Sequence, residues 1–167
     1  SLNQIARSSS IEDANYVWEF QTHLDKFFVV GEGAETRCST NVSGDQTCQE
    51  LVSLWSSPDG VAWDQVVTTA GEPVATQMVG SGRLGLAAVG QELWENRIPR
   101  PIYLSKDGSV WDRAGNLALL HPDVQWWWVN RPAVGSDTIV IPGSAYNEIV
   151  GQDHDVPFLI VGRLLND

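Results

Sequence analysis

The chain has 167 residues, with 10 Lys+Arg against 21 Asp+Glu and a formal net charge of −11. A field of that sign repels phosphate backbones and anionic lipid, so nucleic acid and acidic membrane surfaces are not expected partners. At 43% apolar and 19% charged residues the composition is that of a folded globular chain, which excludes a disordered one.

No apolar run approaches the ~18 residues of a membrane-spanning helix. The longest are Phe27–Val30 and Leu84–Val89. The sequence opens Ser1-Leu2-Asn3-Gln4 without a basic-then-apolar leader, so a signal peptide is expected to have been removed or to lie outside it.

In chain order, the first strand candidates are Tyr16–Phe20 and Lys26–Gly31, short runs rich in aromatic and β-branched residues and stopped by glycine. Cys38 and Cys48 follow in a polar, Gly44-containing stretch without helical periodicity. A disulfide closing a loop there is the expectation and would place the protein in an oxidising, extracellular or cell-surface compartment. The alternative is a pair of free thiols. Asn41-Val42-Ser43 matches the N-glycosylation triplet, which has meaning only in a eukaryotic secretory host.

The most specific signal is an internal repeat. Trp55-Ser56-Ser57-Pro58-Asp59-Gly60-Val61-Ala62-Trp63-Asp64 aligns without a gap to Tyr103-Leu104-Ser105-Lys106-Asp107-Gly108-Ser109-Val110-Trp111-Asp112, 48 residues later. Asp-Gly between apolar runs is a hairpin turn signal, because Gly accepts φ > 0 and the Asp and Ser oxygens accept turn N–H groups. Trp63 and Trp111 are expected to open the outgoing strand with the indole folded back, so that each box locks a turn and plugs a core.

The strand pattern repeats around these boxes. Val74–Val79 and Leu84–Gly90 precede the second one, and Val129–Val134, Thr138–Gly143 and Pro157–Gly162 form a third, incomplete set that lacks its last strand. No stretch sustains a 3.6-residue period, so the expected fold is all-β. Units of about 50 residues with four strands match propeller blades, of which typical rings hold 4–8. A single domain over 1–167 is therefore expected, with blades at 16–67, 74–115 and 124–163. The missing strand would come from a longer parent chain, from a second copy, or from the segment Ser1–Ile11.

At Ser57, Asp59, Gly60, Trp63 and at Ser105, Asp107, Gly108, Trp111 the chain resembles the Asp-box repeats of sialidase-like (bacterial neuraminidase repeat) β-propellers, in a shortened Ser-x-Asp-Gly-x-x-Trp form. No residue separates Asp from Gly, and Ala62 and Val110 stand where the family has Thr. The resemblance implies a secreted bacterial protein whose boxes sit on peripheral hairpins, which makes Asp59 and Asp107 structural. A sialidase site would also need three arginines, a Tyr–Glu pair and an acid/base Asp. Asn96-Arg97-Ile98-Pro99 carries part of the family's arginine signature but sits within the second blade, and Tyr16, Tyr103 and Tyr146 are the only tyrosines.

The remaining candidates are binding residues. Trp126-Trp127-Trp128 on a strand must alternate faces, so an aromatic platform for sugar or peptide could form around Trp127 with Trp94 and Arg131 beside it. The alternative is that these rings pack between blades. Asp153-His154-Asp155 has too few ligands for a metal site and reads as a solvated loop. His23, His121 and His154 are scattered, and no nucleophile elbow, zinc motif or phosphate loop occurs. No catalytic residue, cofactor or metal is expected. The sequence leads to a non-enzymatic recognition or scaffold module with a glycan or protein ligand and a possible homo-oligomeric state. The alternative is a fragment of a sialidase-like glycoside hydrolase.

Overall fold

A computed structural model of the chain describes residues 17–40, 43–90, 100–117, 126–146 and 156–163. These residues form twelve strands and no helix. A four-stranded sheet runs in the order β1-β2-β3-β4, with β1 at Val17–His23, β2 at Lys26–Thr40, β3 at Gln46–Ser57 and β4 at Asp64–Gln65. A second sheet has the order β12-β11-β10-β5-β6-β7-β8.

The first arm of that sheet is a meander of β5 (Met78–Gly82), β6 (Gly85–Val89), β7 (Arg100–Ser105) and β8 (Asp112–Leu117). Its other arm holds β9 (Trp126–Val129), β10 (Ala133–Val134), β11 (Thr138–Tyr146) and β12 (Val156–Arg163), with β9 and β10 both pairing β11. The all-β expectation thus holds, with antiparallel neighbours within each arm. β12 pairs only β11, so the last arm lacks an outer fourth strand among the described residues.

Burial follows from strand alternation. All five residues of β6 are buried, because β6 has a packed layer on each face. Leu86 and Ala88 point to one side and join Val79, Tyr103 and Trp111 against Phe28, Val30, Val52 and Leu54 of the four-stranded sheet. Ala87 and Val89 point to the other and meet Val129, Val134, Ile139 and Ile141. The β5–β8 arm is therefore the middle layer of three.

Backbone contacts fasten the layers. The segment after β4 runs back along β3, with Leu54 N donating to Val74 O and Thr76 N to Val52 O. The buried Thr76 hydroxyl lies 2.7 Å from Val89 O in the middle layer. On the other side β5 meets β10 in parallel at Val134 opposite Gly82. A Cβ on Gly80 or Gly82 would run into the carbonyls of Pro132 and Val134, so only glycine permits this approach.

The cysteines do form a disulfide. Its setting differs from the expected loop: Cys38 faces Cys48 across the β2–β3 ladder, which continues past the bulge between Glu32 and Thr36. The polar composition of this stretch hides the strands because both lie where solvent, and not a core, meets the hairpin; Cys38 and Cys48 are exposed.

Candidate recognition surface

Both Ser-x-Asp-Gly segments are tight connections between paired strands, β3 to β4 and β7 to β8. In the first, Ser57 Oγ accepts from Gly60 N at 2.8 Å and donates to Asp59 Oδ1 at 3.0 Å. Asp59 Oδ1 also accepts from Val61 N and Ala62 N at 2.8 and 3.0 Å. Gly60 has φ +75°, which removes the penalty a side chain would carry there. In the second, Ser105 Oγ accepts from Gly108 N, and Asp107 Oδ1 from Ser109 N, each at 2.8 Å. The Trp111 indole folds back and donates from Nε1 to Gly108 O at 3.2 Å.

These turn N–H groups stabilise the charged carboxylates. Hydrogen bonds from Val61 and Ala62 hold the Asp59 carboxyl below its ordinary 3.8, and the one from Ser109 does the same for Asp107. Both carboxylates take N–H donors from their own turns and are exposed.

The two turns differ in what lies against them. Phe28 from β2 sits under Gly108 and edge-on to Trp111, with ring centroids 6.3 Å apart. His23 Nε2 donates to Lys106 O at 3.2 Å, and Lys26 Nζ bonds Ser109 Oγ. The β1–β2 hairpin therefore docks onto the second turn. Among the described residues, a Cβ on Gly60 of the first turn would touch only Phe27 of its own sheet.

Polar groups from all three layers converge on β1. Its alternate residues Glu19, Gln21 and His23 each take a partner from the β5–β8 arm: Val79 N at 3.1 Å, Ser81 Oγ at 2.6 Å and Lys106 O. Arg131, on the link between β9 and β10, donates from Nε to Glu19 Oε1 at 2.6 Å. The Glu19 side chain is buried and the Arg131 side chain is 54% exposed, so the guanidinium stands at the surface on a fixed carboxylate.

Of the sequence-derived binding residues, the structure thus places Arg131 at a junction of layers. Trp94 and Arg97 lie outside the described residues, as does Asp153-His154-Asp155. Trp127 is on β9 opposite Ala145, and its side chain is not among those described. Its neighbour Trp128 is 52% exposed on the face away from the core. Arg100, Arg113 and Arg131 bond Gln77, Asn116 and Glu19 respectively, and so are spread over separate elements. Among the described residues no group of three or more metal-capable side chains occurs.

Glu19 was not singled out by sequence reasoning. The usable signal was the period-two polar row Glu19, Gln21, His23 inside a strand whose partners Phe28 and Val30 are core residues. Polar residues repeated on a core-facing side need partners across the layer gap. No family model, curated protein or solved structure matches the chain.

Proposed function

We propose that this chain is a non-enzymatic recognition or scaffold module, secreted or displayed at the cell surface, whose three layers are blades of a β-propeller. The carrying observation is the convergence of β1, β5 and the β9–β10 link at Glu19, with the half-exposed Arg131 guanidinium presented there. A guanidinium held on one edge by a buried carboxylate is pre-oriented toward a polar ligand, a carboxylate or a peptide carbonyl, and loses little freedom on binding. The turn locks and the disulfide support an outward-facing, rigid scaffold suited to such a role.

The test is saturable binding of the full chain to glycan and peptide arrays, repeated with Arg131→Lys, which keeps the charge but not the fork. Roughly tenfold weaker binding by the variant is expected, the loss of about one good hydrogen bond. Absence of saturable binding on both arrays, or equal binding by the variant, overturns the reading. Turnover of a fluorogenic sialoside would instead support a hydrolase fragment.

A further inference from the structure

β12 ends its sheet, and the hydrogen bonds of β11 fix which of its residues present the outer backbone edge. Asn130 N donates to Pro142 O at 2.8 Å and Gly135 N to Thr138 O at 2.7 Å, so Thr138, Val140 and Pro142 turn their backbone groups toward β9 and β10. Backbone groups alternate sides along an antiparallel strand, which leaves Ile139, Ile141 and Gly143 to bond β12. Their register partners there are Gly162, Ile160 and Phe158. Leu159, Val161 and Arg163 therefore direct their N–H and C=O groups away from the sheet. Pro157 falls in the same row, where its missing N–H removes no ladder bond.

The side chains follow the same alternation. Phe158 and Ile160 pack on the core cluster that holds Ala87 and Val89, whereas Leu159 and Val161 are 68% and 62% exposed. The other strands at sheet margins are blunted against pairing. β1 carries Glu19, Gln21 and His23, β8 carries the exposed Asp112 and Arg113, and β4 and β9 are two and four residues long. β12 has eight residues and its only charge is the terminal Arg163. Among the described residues it is the one long, apolar edge, the kind that templates pairing with another strand.

We infer that the β12 edge pairs antiparallel with the β12 edge of a second copy of this chain, about a two-fold axis at Ile160, and joins the two large sheets into one. The occupant follows from the symmetry of the edge. Leu159 and Val161 flank Ile160, so each exchanges both N–H···O=C bonds with Val161 and Leu159 of the second copy. At either end Arg163 N–H donates to Pro157 O of the second copy, and the proline needs no acceptor in return. Leu159 comes to lie beside Val161 of the second copy on one face, which reduces the apolar surface that each copy exposes alone. A net charge of −11 repels copies elsewhere, and Val156–Arg163 contains no acidic residue. Each edge consumes the other, so the assembly closes at two chains, and the last arm gains the outer strand it lacks.

The experiment is light scattering on the size-exclusion peak of the full chain at about 300 µM, high enough to populate a micromolar dimer. Twice 18.3 kDa is expected. Val161→Pro removes one outward N–H that no bond within a single copy uses, and Leu159→Lys places a charge on the edge at an exposed position. Each should halve the mass while the near-ultraviolet circular dichroism spectrum stays that of the parent. Hydrogen exchange reads the edge directly: the Val161 amide should exchange at least about tenfold more slowly in the parent than in Leu159→Lys. A single-chain mass, a mass beyond two chains, a dimer that persists in either folded variant, or equal exchange at Val161 overturns the inference. A single-chain mass with a slow Val161 amide would mean that another segment of the same chain covers the edge. These outcomes are independent of ligand binding at Arg131.

Discussion

Gly60 and Gly108 are the same residue of the same motif, with φ +75° and +77°, yet substitution at each should have different consequences. A Cβ at Gly60 has ordinary contacts with the Phe27 ring, so Gly60→Ala carries mainly the left-handed backbone penalty of roughly 1–2 kcal/mol. A Cβ at Gly108 would overlap the buried Phe28 ring and crowd Leu86, adding an overpacking cost of about 1–3 kcal/mol. Urea unfolding of the two variants checks this, and equal midpoints would contradict it. The motif is legible in sequence as a turn; the second penalty is not, because Phe28 arrives from 80 residues away in the chain.

At the scale of an element, the Ser57–Trp63 turn is a carboxylate wrapped by N–H donors. Because the folded-state pKa of Asp59 lies below the ordinary 3.8, its contribution is fully present above that value and disappears as pH falls through the lowered one. Asp59→Asn keeps an oxygen acceptor at Oδ1 but removes the charge and its titration. The thermal midpoint of the variant should therefore vary less than that of the parent below about pH 4, the ordinary carboxylate range. Identical acid slopes would mean that the turn does not depend on the ionised form. The strands themselves were legible from apolar runs and glycine stops. The β2–β3 extension around Cys38 and Cys48 was not, since exposed polar strands lack the alternation that marks a half-buried one.

For the whole molecule, the Arg131–Glu19 contact joins the last arm to the first sheet across 112 residues of sequence. Removing the guanidinium takes away one of the donors to the buried Glu19 carboxylate, which keeps the hydrogen bond from Val79 N. Arg131→Ala should lower global stability by about 1–3 kcal/mol, the worth of a hydrogen bond to a charged group. Glu19→Gln combined with Arg131→Ala should recover part of this, because no unpaired charge stays buried. Urea titration of the single and double variants measures the coupling; additive effects would show that the pair does not hold the layers together.

The all-β class, the strand-forming runs, the two Ser-x-Asp-Gly turns and the eligibility of Cys38 and Cys48 to pair are all legible in the chain, because each depends on residues near one another in it. Which strand faces are covered, the meeting of Glu19 with Arg131, and the exposure of Leu159 beside the burial of Leu54 emerge from packing between distant segments. The local pattern at those two leucines is similar. What separates them is the presence of a neighbouring layer, which no period or motif within a strand encodes.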